Sequence, residues 1–249
     1  LLYRIYLEQK RFHNAETCLD KLVQIEPNKL DYCLQLSFCY ETLNRTEKFP
    51  KLDEKIVDLS PTNEKSKRRL AEFRFKSGKL EDALNLYNDL IRMGKAISAD
   101  YPNIIQISLT LNLKPKAIEY LKQYIALQPS DVTLYKKLGD LYYDQKKYDD
   151  AYSNYRIVLN KKPDMTGIYC NYSKLYVMKN SDMKQIITVL EKAVSLDEAD
   201  FIIYADLGNA HYSLGKFTKA LDNYDKALRL NRKEGEVVSK VADFQSEGV

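Results

Sequence analysis

The residues best suited to chemistry are few and scattered. His13 and His211 stand far apart in the chain, and neither joins a Ser or Cys in a recognisable nucleophile arrangement. Cys18, Cys33, Cys39 and Cys170 form no C-x-x-C pair and no metal-ligand spacing. They read as small buried hydrophobes of a reducing compartment, which sets a cytoplasmic, intracellular location as the expectation. No Gly-rich phosphate loop and no zinc-protease signature is present. The many carboxylates read as solvated helix faces. The expectation is a chain without catalytic residues, cofactor or metal.

What remains is chemistry of contact. Of 249 residues, 45% are apolar and 30% charged, with 20 Tyr, no Trp, 8 Gly and 7 Pro. So few Gly and Pro exclude a turn-rich β-sandwich, and the tyrosines read as amphipathic aromatics in shallow layers with their tips to water. A net charge of +4 falls short of the clustered positive field of a dedicated nucleic-acid binder. No stretch is long and apolar enough to span a membrane, and no signal peptide opens the chain. The opening Leu1-Leu-Tyr-Arg-Ile-Tyr6 reads as mid-helix, so a longer parent chain is expected.

The elements that would position these side chains follow a ruler. Pro27, Pro61, Pro129 and Pro163 lie 34, 68 and 34 residues apart, and Ala15, Ala83, Ala117, Ala151 and Ala220 lie 68, 34, 34 and 69 apart. Such a period marks a repeat architecture. It divides the chain into units 30–63, 64–97, 98–131, 132–165, 166–200 (one residue longer) and 201–234, with partial units at 1–29 and 235–249. Within each, apolar residues three and four apart predict two amphipathic helices. Lys10, Asn44, Gly78, Asn112, Lys146, Asn180 and Gly215 hold one fixed place between them, mostly types that tolerate a left-handed helix end. Pro115 suits the first turn of a second helix. Gly139 and Gly208 fall where paired helices should come closest. The recurrent Ala leaves no room for more, so Ala151→Leu is expected to overpack at about 1–3 kcal/mol. His211 stands at a recurring Tyr place and reads as packed; His13 reads as solvated.

Tyr135, Leu138, Gly139, Tyr142, Ala151, Tyr155 and Pro163 occur in an order that resembles the tetratricopeptide repeat. Tyr204, Leu207, Gly208, Ala220, Tyr224 and Ala227 repeat it. The resemblance covers essentially the whole chain and implies an all-α, right-handed superhelical solenoid of tandem antiparallel helix hairpins. Unit 64–97 departs from the pattern: Lys67 and Arg74 hold aromatic places and Lys95 replaces the closing Pro. Residues 92–102 are therefore the least regular junction, a candidate for bending. The extra residue of 166–200 is placed in the turn near Asn180.

The resemblance also implies function: a protein-interaction scaffold or adaptor, or a subunit of a larger assembly, binding a peptide or helix in a groove lined by first helices. In such units the second, fifth, ninth and twelfth places face the groove. The twelfth gives Leu7, Glu41, Phe75, Leu109, Tyr143, Val177 and Tyr212, six of the seven apolar or aromatic, which suggests an apolar ladder. The fifth and ninth add Arg68, Glu72, Gln106, Lys136, Asp140, Lys174 and Asn209, with Phe38 as an aromatic exception. The alternative is that these side chains pack on one another. An acidic partner would use Lys65, Arg68, Lys136 and Lys137. The family's clamp for a chaperone C-terminal carboxylate finds Arg68, Asn103 and Lys137 at three of five places, but Glu72 and Thr133 at the others, where a carboxylate would repel the guest. The run Lys65–Arg69 reads as a solvated face. Two other functions stay open, an RNA-binding helical-repeat protein and the noncatalytic docking arm of an enzyme. Val237, Val238, Val241 and Phe244 fit either a capping helix or a cut-off eighth unit.

Overall fold

How each helix stops is written in its last residues. A computed structural model of the chain describes residues 2–180 and 182–230; segment 235–249 lies outside them. Among the described residues the helices are α1 (Leu2–Glu8), α2 (Phe12–Ile25), α3 (Leu30–Thr42), α4 (Phe49–Leu59), α5 (Glu64–Lys76), α6 (Leu80–Arg92), α7 (Tyr101–Thr110), α8 (Lys114–Leu127), α9 (Val132–Asp144), α10 (Tyr148–Lys161), α11 (Tyr169–Lys179), α12 (Met183–Ser195), α13 (Phe201–Ser213) and α14 (Phe217–Leu230). A short 3-10 turn, Thr46–Lys48, leads into α4. No strand occurs among the described residues. The chain forms two compact units, Leu1–Leu127 and Gln128–Val249, divided at a boundary other than 92–102.

Consecutive helices pair through a left-handed residue. Lys10, Asn44, Gly78, Asn112, Lys146 and Gly215 all have φ between 55° and 77°. The geometry is a Schellman close: Gly78 N–H donates to the Phe75 carbonyl at 3.0 Å and Lys79 N–H to that of Arg74 at 2.9 Å. Asn180 departs from the expectation. It is extended (φ −125°, ψ 149°), because α11 runs on to Lys179 with the extra residue. The next helix is then started by Asp182, whose carboxylate accepts from Lys184 N–H and Gln185 N–H.

Second helices end in two ways. Where a proline closes the unit, the residue before it is forced out of helical space: Glu26, Ser60 and Lys162 have ψ of 73°, 83° and 84°. Where proline is missing, a left-handed residue does the work, Gly94 (φ 66°) after α6 and Asp197 (φ 57°) after α12. Beyond Asp197, the Glu198 carboxylate accepts from the backbone N–H groups of Gly167 (2.5 Å) and Tyr169 (2.7 Å), capping α11 from a loop about thirty residues downstream.

The recurrent alanines Ala15, Ala83, Ala117, Ala151 and Ala220 are fully buried, as close helix packing requires. At Gly139 an added Cβ would lie 2.6 Å from the Tyr155 ring, and at Gly208 2.5 Å from Tyr224. The space is thus taken by an aromatic ring of the second helix. The tyrosines also correct the expectation of tips in water. Tyr87 and Tyr155 are fully buried, and their hydroxyls meet Asn103 (3.0 Å) and Asp140 (2.8 Å). Burial, then the Asp140 charge, raises the Tyr155 pKa, so this hydroxyl stays a donor.

Candidate partner-binding face

In the unit Leu1–Leu127 the first helices are α1, α3, α5 and α7. On α3, Phe38 is 50% exposed and Leu34, one turn earlier, 38%. The Phe38 ring meets Phe12 edge-on at 6.0 Å, so three apolar side chains form one patch at the solvent. Leu109 of α7 is exposed and Phe75 of α5 half-buried. Gln106 is exposed, its amide 3.5 Å from Thr110 Oγ1.

The cations of α5 from Lys65 to Arg69 are engaged within this unit. Lys65 Nζ donates to Glu41 Oε2 at 2.7 Å. Arg68 Nε donates to buried Asp100 at 2.9 Å and its Nη2 to the Lys95 carbonyl at 2.8 Å, which ties α5 to the loop before α7. Asp100 also accepts from Ile97 N–H, so the irregular junction is braced. Arg69, outside the expected face, grips buried Asp53 of α4 through Nε and Nη2 (2.9 and 2.6 Å), reaches Glu41 and Ser37, and lies 4.0 Å from the Phe49 ring centroid. Burial works against its charge, and Asp53 with Glu41 outweighs that, raising its pKa. Lys67 is only 5% exposed and pairs with Asp89 of α6 at 2.6 Å. The run Lys65–Arg69 is therefore a fan of four paired cations, which corrects its reading as a solvated face. Of the chaperone-clamp register, Arg68 is bonded to Asp100 and Asn103 donates to Tyr87.

In the unit Gln128–Val249 the first helices are α9, α11 and α13. Lys136 Nζ binds Asp140 Oδ2 at 2.8 Å, and Asp140 also takes the Tyr155 hydroxyl. Lys174 Nζ reaches Asp200 at 2.5 Å; burial opposes its charge, but Asp200 raises its pKa. Asn209 Oδ1 accepts from Tyr224 OH at 2.9 Å. Tyr143 is half-buried, edge-on to Tyr148 at 5.6 Å. Tyr212 is 44% exposed and edge-on to Phe217, also at 5.6 Å.

Sequence reasoning missed the residues that back the first-helix aromatics within each unit. Phe12, Tyr148 and Phe217 each open a second helix, and each flanks an aromatic of a first helix. The signal was present: they lie 136 and 69 residues apart, near multiples of the repeat. Among the described residues no cluster of His, Cys, Asp and Glu could hold a metal ion, and no helix is long and apolar enough to cross a membrane. Burial holds the Cys39 thiol up at about 11, so it is unreactive. His211 is buried, as expected from its Tyr place, and the His13 side chain is exposed.

Comparison with known proteins adds the lineage. Profiles described as tetratricopeptide repeat match residues 4–29, 109–164, 166–200 and 201–234. The chain is 26% identical over 102 residues to DnaJ homolog subfamily C member 7 of Mus musculus, which is 41% of this chain and 20% of that protein. It is 22% identical over 235 residues to Hsp70-Hsp90 organizing protein 1 of Glycine max, 89% of this chain and 39% of that one. It thus spans well under half of either relative. In fold it is similar to a chain of the Naa15/Naa10 structure bound to HypK-THB, with a TM-score of 0.63, 8% identity, 98% of this chain covered and 38% of that one.

Proposed function

Because the chain belongs to the tetratricopeptide repeat family, we propose that it is a noncatalytic protein-interaction scaffold, holding a segment of a partner protein against the first helices of its hairpins or serving as a subunit of a larger assembly. The observation that carries this is the patch of Leu34 and Phe38 on Phe12, apolar surface left to water on a helix whose other faces are packed. Covering one such side chain is worth about 1.5–3 kcal/mol, enough for a few of them to anchor a peptide. The charges of this face are mostly paired within the chain, so contact with apolar side chains supplies the affinity and charge supplies register. The relatives point the same way: one is named for organising Hsp70 and Hsp90, and the Naa15/Naa10 structure holds HypK-THB.

The test is capture of partners by the intact chain beside a variant carrying Phe38→Ala, Leu109→Ala and Tyr212→Ala, with circular dichroism to show equal helicity. Partners lost from the variant place the site on the first helices. Partners retained in full remove these residues from it.

A further inference from the structure

A cavity of about 710 Å³ opens in the unit Leu1–Leu127, on the side carried by the second helices α2 and α4. None of the residues of the candidate partner-binding face lines it. Its apolar floor includes Val23, Leu36 and Leu52, and Phe73, 43% exposed, stands at its wall. The cations around it fall into two groups. Lys48 is engaged by Glu16 at 2.6 Å, and Arg74 by Glu54. The ammonium groups of Lys51, Lys55 and Lys79 are exposed, and no ion pair or hydrogen bond engages them among the described residues. Of the lining carboxylates, Glu54 holds Arg74, Asp20 accepts from Tyr40 OH at 2.8 Å and lies 3.9 Å from Lys48 Nζ, and Glu47 is exposed; these acids are fewer than the cations around them.

We infer that this cavity is a second docking site, separate from the first-helix face, for a short acidic protein segment carrying a large apolar side chain. Lys51 and Lys55 sit one turn apart on α4, a like-charge spacing that costs the helix a little until an anion lies between them. Lys79 adds a third cation beyond Phe73. An acidic segment relieves that repulsion while its Leu or Phe covers Phe73 and fills the apolar floor. The first-helix cations Lys65, Arg68, Lys136 and Lys174 are already neutralised by their own chain. Lys51, Lys55 and Lys79, by contrast, bring to one cavity three cations without an ion pair among the described residues.

The experiment is fluorescence anisotropy of a labelled synthetic peptide of Glu and Asp carrying two Leu residues, titrated with the full chain. Two variants accompany it: Lys51→Glu/Lys55→Glu/Lys79→Glu, whose positions are all exposed, and the first-helix variant defined above. Saturable binding that weakens roughly tenfold or more in the charge reversal and stays within about twofold in the first-helix variant is the expected result. Equal binding by the charge-reversed chain overturns the proposal. So does equal binding of a peptide with the Leu residues replaced by Ser, which would reduce the effect to bulk charge. Tighter binding of a single-stranded oligonucleotide or an anionic vesicle than of the peptide, lost in the same reversal, also overturns it and assigns the cavity to another class of partner. Because the first-helix variant is read alongside, failure here leaves the scaffold reading to its own test.

Discussion

In the hairpin α9–α10 the Tyr155 ring lies over Gly139 and its hydroxyl donates to Asp140. In α5–α6 the corresponding places hold Ala71, Tyr87 and Glu72, and α5 carries Lys67 and Arg74 where α9 carries Tyr135 and Tyr142. The first hairpin is closed by a ring filling a notch. The second is surrounded by ion pairs: Lys67 to Asp89 on α6, Arg69 to Asp53 and Arg74 to Glu54 on α4, Arg68 to Asp100 before α7. Ring packing is tolerant of its neighbours, whereas each ion pair names one acid on one helix. The difference teaches that a degenerate repeat keeps its place in the stack by specific charge partners once its aromatic places are lost.

The largest effect that would break this contrast is at Asp53. Removing the Arg69–Asp53 contact with Asp53→Ala leaves a guanidinium without its main partner in a half-buried site, and should cost about 3–5 kcal/mol by denaturant unfolding. A loss under about 1 kcal/mol would mean that the ion pairs around α5 are incidental. The counterpart in α9–α10 is Gly139→Ala, which drives a methyl into the buried Tyr155 ring and should destabilise by about 1–3 kcal/mol, less what helix propensity returns. The reciprocal Ala71→Gly should cost only about 1 kcal/mol, since there the hairpin already accommodates the methyl.

A third hairpin, α13–α14, sharpens the comparison through pH. The place of Arg74 and Tyr142 is held by His211, buried, with Nδ1 lacking a hydrogen-bond partner among the described residues. Burial first, then Lys219 and Lys216, lowers its pKa below 6.5, while Glu191 opposes this. The unfolded chain therefore takes up the proton first, so the stabilising contribution is full above pH 6.5 and is lost as pH falls below it. Thermal melts at neutral pH and near pH 5.5 should show a drop that His211→Tyr abolishes, with Tyr142→His adding one to α9–α10. The smallest effect belongs to Lys65→Ala, an exposed pair with Glu41, expected within about 0.5 kcal/mol of the parent.

Much of the fold was legible because the residues that make it act locally. Proline, the turn residue and the packed alanine each fix a helix end or a close approach by their own geometry, and they recur on one ruler. Asn180 was misplaced because one inserted residue lets a helix run past its usual stop. Asp197 escaped notice because its left-handed role is taken up only where proline is absent. The candidate face was harder to see. Lys65, Lys67, Arg68 and Arg69 are near neighbours in sequence, yet their carboxylate partners lie from 16 to 32 residues away, on three other helices and in the loop before α7. A charge run looks solvated until folding brings those acids to it.

The carboxylate of Glu198 on the start of α11 has a consequence for how the chain is made. Synthesis delivers the chain from its N-terminal side, so α11 emerges with the donors of Gly167 and Tyr169 open to water. They receive their acceptor only once α12 has followed and Glu198 has left the ribosome. The order of emergence thus sets an order of consolidation: α11 gains its N-terminal cap after the helix that follows it, and a chain paused between residues 180 and 198 should hold that segment only loosely.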